Sequence, residues 1–369
     1  MILPVTLVVF ALYVTLIISL VIGICITIYQ VKGNISEDIT GVSVVVAFRN
    51  EAENLPRLLN ALQSQALPVD RWEVIFVDDG SVDGGDSIVN SFDGKFNFRV
   101  IRQNADVAGK KHAIINGVNN TKFNMVVITD ADCIPSETWL QSIVQMAGDY
   151  TLVQGAVVVE SQKSVVAMFD ALDYASLMAV SAGSLGLGHP VIAASANLSF
   201  RKHLVNVDSK TLRADIASGD DMFLLHAVKQ NRDSRLTFNF SRHGIVRTRF
   251  DGGFSQMIQR RKRWASKSSS YRDFDTILVG FIVLVFNLWL IVLLLMYLLG
   301  KVPLVYPAAG WLLKSTVDFP LLFIYLKHTD QLKLMPVFIP LQVIYPIYIS
   351  YSALAGLLGG QHWKGRKIN

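Results

Sequence analysis

The chain has 369 residues, of which 51% are hydrophobic and 17% charged, against about 25% charged in an average soluble domain. That deficit excludes a disordered or fibrous chain and argues against a wholly soluble one, while the length accommodates one core of about 200–250 residues plus several membrane spans. Lys and Arg number 34 against 29 Asp and Glu, a net charge of +5 that fits basic membrane flanks or an anionic lipid surface better than dedicated nucleic-acid binding.

Residues 1–31 carry no charged side chain, and positions 5–29 are long enough to cross about 30 Å of hydrocarbon as a helix. With no basic leader and too long an apolar run for a signal peptide, this segment is expected to be an uncleaved anchor. Val42–Phe48 is a β-branched run, the pattern of a strand buried on both faces. Leu55, Leu58, Leu59 and Leu62 recur at helical spacing, which predicts a helix over Glu51–Ala66. Further strands are expected at Trp72–Val77, Phe98–Ile101 and Met125–Thr129. Strand, helix and strand within about 30 residues form a βαβ unit and a mostly parallel sheet.

Polar residues gather where these strands end. Arg49, Asn50 and Glu51 follow the first, Asp78 and Asp79 the second, and Asp130-Ala131-Asp132 the Met125 strand. Ligands of open α/β sheets bind at such carboxyl ends. The D-x-D can place two carboxylates on one divalent ion, and carboxylates suit Mg²⁺ or Mn²⁺ rather than zinc; alone it is equally a turn. Gly109-Lys110-Lys111 opens a helix predicted over Ala113–Val118. Lysines there are disfavoured by the helix dipole unless an anion such as a diphosphate is present, although solvated surface lysines read the same way. Ser218-Gly219-Asp220-Asp221 opens another apolar helical run, where an acid serves either as a cap or as a general base. No Walker loop or G-x-G-x-x-G occurs, and Cys25 and Cys133 form no disulfide or zinc framework. A helix is also expected over Ala167–Val180.

Arg260, Arg261, Lys262, Arg263, Lys267 and Arg272 form a cluster without an acid, which places this flank in the cytoplasm by the positive-inside rule; Lys32 agrees. Apolar runs follow at Thr276–Gly300, Val302–Leu326 and Leu334–Gly360. Lys314 and Asp318 in the second share a helix face and are expected to pair or to meet a polar cavity. The tail residues Lys364, Arg366 and Lys367 also ask for the cytoplasmic side. Three full crossings would deny it, and a re-entrant C-terminal segment would reconcile the two.

In order, VVVAFRNEAENL, FVDDGS, GKKHAIINGV, ITDADCIP, SGDDMFLL and RRKRW resemble a membrane-bound glycosyltransferase family 2 enzyme with a GT-A fold. The resemblance covers roughly Val42–Trp264. The last motif fits the (Q/R)xxRW signature of cellulose and hyaluronan synthases and ceramide glucosyltransferase, with Arg260 in place of Gln. Gly219-Asp220-Asp221 stands where the family usually has Glu-Asp.

The resemblance implies an α/β fold: a Rossmann-like, mostly parallel GT-A sheet in the cytoplasm, with one N-terminal and two to three C-terminal transmembrane helices. The expected organisation is an anchor over 1–31, a GT-A domain over 40–250, a basic interfacial segment over 251–275, a membrane region over 276–360 and a basic tail over 361–369. The implied activity is inverting, metal-dependent transfer from a nucleotide sugar, expected to be a UDP-sugar, to a membrane lipid acceptor. Ala47, Arg49, Glu51 and Asp79 would bind the nucleoside, with Asp78 supporting the pocket. Lys110 would approach the phosphates, Asp130 the ribose or donor sugar, and Asp132, with Asp130, the Mg²⁺ or Mn²⁺. Asp221, next to Asp220, would be the base. Arg260 and Arg263 would hold the diphosphate and Trp264 a sugar or lipid. Ser195–Ser199 would line the acceptor side. The expected setting is a bacterial inner membrane with the catalytic domain cytoplasmic, no nucleic-acid partner, and self-association left open. The alternatives are a processive polysaccharide synthase, a non-catalytic nucleotide-sugar-binding membrane protein, or a nucleotidyl- or phosphotransferase.

Overall fold

The computed structural model describes residues 2–30, 39–104, 108–160, 164–216, 218–250, 252–357, 361–363 and 366–368. Lys32 and Lys364 lie outside them. The chain divides into two compact units: Thr27–Glu160, Ile192–Arg249 and His362–Asn369 form one, and Met1–Ile26, Ser161–Val191 and Phe250–Gln361 the other.

The first unit is α/β. β1 (Val42–Phe48) and β2 (Trp72–Asp78) pair in parallel, as do β2 with β3 (Asn97–Arg102) and β1 with β4 (Met125–Asp130). β1, β2 and β4 are apolar and almost wholly buried, whereas β3 lies at the sheet edge and is half exposed. The sheet has seven strands in the order β3-β2-β1-β4-β8-β6-β9, completed by β6 (Leu152–Gly155), β8 (Leu198–Arg201) and β9 (Leu236–Asn239). β8 runs antiparallel to both β4 and β6. A smaller sheet joins β5 (Ile134–Pro135), β7 (Val157–Glu160) and β10 (Val246–Arg249). Strand order reverses between β1 and β4, the kind of switch point at which a doubly wound sheet opens a crevice.

The helices follow the apolar pattern. α2 (Leu55–Gln63) buries Leu55, Leu58, Leu59 and Leu62. It is shorter than the periodicity suggests, because Glu51–Asn54 forms a turn and Pro56 sits in the first helical turn, where its missing N–H costs nothing. α3 (Gly85–Asn90) is one short stretch. α4 (Lys110–Asn119) begins three residues earlier than the predicted helix. It lies so close to β1 that a Cβ on Gly117 would fall 2.5 Å from Val45. α5 (Trp139–Ala147) and α7 (Asp220–Gln230) complete the set.

The second unit is helical. α1 (Ile2–Gln30), α6 (Val165–Gly186), α8 (Phe254–Ala265), α9 (Phe274–Leu298), α10 (Val305–His328) and α11 (Phe338–Leu357) supply it, the last residues of α1 belonging to the other unit. A 3-10 helix, Leu332–Val337, precedes α11, and Pro346 lies within it. α1, α6, α9, α10 and the segment Leu332–Gly356 are long and apolar enough to cross a membrane. α6, inside the expected 40–250 domain, groups with the helices: Gly23 of α1 and Gly183 meet backbone to backbone, and a Cβ on Gly23 would fall 2.0 Å from the Gly183 carbonyl oxygen. Lys314 and Asp318 pair as expected, at 2.5 Å, and Lys314 also donates to Gln342 Oε1 at 2.7 Å. β11 (Gln361–Trp363) and β12 (Arg366–Ile368) form a two-stranded sheet.

Candidate active site

The parallel register levels the exits of β1, β2 and β4: Ala47 stands opposite Val77 and Asp130, and Phe48 opposite Asp78. Asn50, in the left-handed region at φ 51°, donates its N–H to Ser81 Oγ at 3.0 Å and accepts from the Val82 N–H at 2.9 Å. These bonds staple the two loops together. Asp78 is fully buried and accepts from the Ser81 N–H at 2.8 Å, so it shapes the turn. Asp79 is buried as well. It accepts from the Gly109 N–H at 2.6 Å, and Arg49 donates to its carbonyl oxygen at 3.3 Å. Burial raises the Asp79 pKa, opposed by the Gly109 N–H and the Arg49 charge. Gly109 has φ +130°, a conformation that L side chains rarely adopt, which is why glycine must precede Lys110.

Lys110 and Lys111 part company. The Lys111 ammonium donates to the Arg213 carbonyl oxygen at 2.8 Å and sits over the Phe223 ring. The Lys110 ammonium lies 2.7 Å from Asp130 Oδ1, 3.3 Å from Asp220 Oδ2 and 2.9 Å from Ser195 Oγ. Burial alone would lower its pKa, but Asp130 and Asp220 outweigh burial and hold it above the ordinary lysine range. One cation thus ties the exit of β4 to the first turn of α7. Asp220 is buried, whereas Asp221 is half-buried and accepts from the Met222 N–H at 2.8 Å.

Asp130, Asp132 and Cys133 offer ligand atoms within 4.8 Å of one another. Burial pushes the Asp132 carboxyl up to about 6, with further contributions from Asp130 and Glu51, against a 3.2 Å hydrogen bond from Thr248. Burial and the same two aspartates push the Cys133 thiol up, so it is a neutral thiol rather than a soft thiolate ligand. Clustered, partly desolvated carboxylates with surplus negative charge fit a hard divalent cation such as Mg²⁺ or Mn²⁺.

Ala47, Arg49, Glu51, Asp78, Asp79, Lys110, Asp130, Asp132, Asp220 and Asp221 therefore belong to one unit, at strand exits and the start of α7. Arg260, Arg263 and Trp264 lie on α8, in the helical unit. Asn197, expected on the acceptor side, is committed to the fold: it accepts from Trp139 Nε1 and donates to the Ala156 and Gly244 carbonyl oxygens. Ser195, also expected on the acceptor side, accepts from the Lys110 ammonium instead, and Thr248, the partner of Asp132, carries no sequence signal, because hydroxyl side chains are common everywhere and only the fold brings this one to the acid.

Residues 43–178 match the glycosyl transferase family 2 model, and residues 125–349, more than half of the chain, match glycosyl transferase family group 2. A stretch of 100 residues is 34% identical to glycosyltransferase AglE of Haloferax volcanii, covering 27% of this chain and 33% of that protein. Another of 109 residues is 35% identical to a chondroitin synthase of Escherichia coli, covering 29% and 16%. The chain thus spans a third or less of the length of these curated relatives. Among solved structures, mannosyltransferase PcManGT from Pyrobaculum calidifontis, in complex with GDP-Man and Mn2+, aligns over 91% of this chain and 99% of its own with a TM-score of 0.50. At 18% identity this likeness speaks to the fold.

Proposed function

The chain belongs to glycosyl transferase family group 2, and from that premise we propose that it moves a sugar from a nucleotide sugar to a lipid hydroxyl at a membrane, with inversion at the anomeric carbon. The observation that carries this reading is the bridge from Asp130 through Lys110 to Asp220, which joins the D-x-D to the acid pair of α7.

Each residue has a role that its surroundings support. Arg49, Glu51 and Asp79, with the backbone at Ala47 and the turn built by Asp78, bind the nucleoside, a uridine by the family resemblance. Asp132, with Asp130, holds Mg²⁺ or Mn²⁺, which supplies positive charge to the leaving diphosphate. Asp220 is neutralised by Lys110, which leaves Asp221 as the base. Asp221 takes the proton from the acceptor hydroxyl while that oxygen bonds to the anomeric carbon. The bond from that carbon to the diphosphate breaks, and a nucleoside diphosphate leaves.

The lipid acceptor is supported by the long apolar helices and by the short distance in sequence from Trp264 to the start of α9. The basic cluster over 260–272 supports a cytoplasmic α/β unit, and the membrane assigned to it in this proposal is a bacterial inner membrane. The test is to incubate membranes containing the protein with Mn²⁺ and labelled UDP-glucose, UDP-N-acetylglucosamine or GDP-mannose, then partition the product. Label in the organic phase as a single-sugar lipid supports the reading. Aqueous polymer would make the protein a polysaccharide synthase, and released free sugar or pyrophosphate alone would contradict transfer.

A further inference from the structure

The basic cluster before α9 is not one continuous positive surface. Arg260 is ion-paired with Asp170 of α6, and Arg261 lies 3.6 Å from Asp173 of the same helix. Both acids are almost fully buried, each 2% exposed. Tyr348 of α11 donates its hydroxyl to Asp173 Oδ2 at 3.1 Å. Trp264 sits between the two arginines: the Arg260 guanidinium is 5.0 Å and the Arg261 guanidinium 5.8 Å from its ring centroid, and Tyr174 of α6 lies beside it at 5.8 Å. At about 3.6 residues per turn, Arg260, Arg261 and Trp264 share one face of α8, and Lys262 and Arg263 fall off it.

The geometry points to Arg260 and Arg261 as positioning residues that clamp α8 to α6 through Asp170 and Asp173, rather than as ligands of the diphosphate. Three facts favour this over the donor-binding role that the R-x-x-R-W resemblance implies for Arg260. Two acids on α6, spaced three apart, meet two adjacent arginines one to one, so the lattice is neutral. The acids are buried in an otherwise uncharged helix, where a carboxylate without its partner is costly. The aromatic face of Trp264 already carries two guanidinium groups. The clamp fixes the rotation of α8 and so sets the direction in which Arg263 projects. Its role in turnover rests on the transferase reading above; its existence does not.

The test separates the two. Arg260→Met, Asp170→Leu and the double variant are compared with wild type in full-length protein. Thermal unfolding in detergent reads the clamp itself: each single variant lowers the midpoint, and the double variant recovers most of the loss because no unpaired charge remains. Additive losses would overturn the clamp whether or not any sugar is transferred. For turnover, each single variant is expected to lower kcat about tenfold with donor KM within about twofold, the cost of a misaligned helix rather than of lost binding. Affinity for UDP with Mn²⁺ is unchanged in all three, which also reports an intact α/β unit. The double variant recovers to within about threefold of wild type. A tenfold rise in donor KM or UDP dissociation constant in Arg260→Met alone, or a double variant as inactive as Arg260→Met, would restore Arg260 to the diphosphate and overturn the inference.

Discussion

The ammonium of Lys110 lies 2.7 Å from Asp130 Oδ1, at the N-terminus of a helix where a lysine is electrostatically disfavoured. The neighbouring Asp220, at 3.3 Å, and the Ser195 hydroxyl repay that cost. The lysine serves as an internal counter-charge to two acids from distant parts of the chain.

Replacing Lys110 with Met leaves Asp130 and Asp220 uncompensated. We expect destabilisation by about 2–3 kcal/mol, below the 3–5 typical of a fully buried pair because the lysine is 22% exposed. Lys110→Arg retains the charge and loses less. Chemical denaturation of the purified protein measures both.

Asp132 gives a pH signature. Its carboxyl is pushed up to about 6, so it holds its proton more tightly folded than unfolded. That contribution favours the fold at low pH and is lost as pH rises from about 4 through about 6. With metal chelated at pH 7.5, Asp132→Asn should therefore melt about 3 °C above wild type, and the gap should narrow toward pH 5. Mn²⁺ should raise the wild-type midpoint and leave the variant unmoved. An equal response of both proteins to Mn²⁺ would remove Asp132 from the metal site.

Asp220 and Asp221 separate by their surroundings. Asp221→Asn is expected to lower turnover by about 10²–10⁴, the usual worth of a general base, with UDP affinity preserved. Asp220→Asn removes one of the two acids that hold Lys110 and lowers thermal stability as well as turnover. Paired assays of kcat and unfolding midpoint distinguish the two.

Much of this site was legible because its chemistry sits at the ends of β1, β2 and β4, whose β-branched runs are long enough to announce themselves. β6, β7, β8, β9 and β10 are four residues each, too short for periodicity to register, and the antiparallel entry of β8 beside β4 follows from tertiary packing alone. The start of α2 moved because Asn54 bonds back to Glu51 and opens a turn first. Asp170 and Asp173 were invisible as partners of the arginines, since ion pairing between distant segments leaves no local pattern. Lys314 and Asp318, one helical turn apart, did leave one.

That second pair supports a prediction within the helical unit. Tyr13 of α1 donates to Asp318 Oδ1 at 2.8 Å, and Gln342 of α11 donates to Asp318 Oδ2 at 3.2 Å. Lys314→Met should destabilise by about 3 kcal/mol, and Lys314→Met with Asp318→Leu by less than that single change, because a paired charge is removed whole. Unfolding in lipid nanodiscs measures the coupling.

The carboxylates at the ends of β4 and β2 are expected to form a metal-dependent nucleoside diphosphate site. Calorimetric titration of UDP and GDP into the full-length protein, with Mn²⁺ and with a chelator, tests it directly. We predict saturable binding of one of them that requires Mn²⁺ and disappears in Asp132→Asn. Binding that is equal with and without metal and unchanged in that variant, or no binding of either nucleotide by the folded protein, would contradict it.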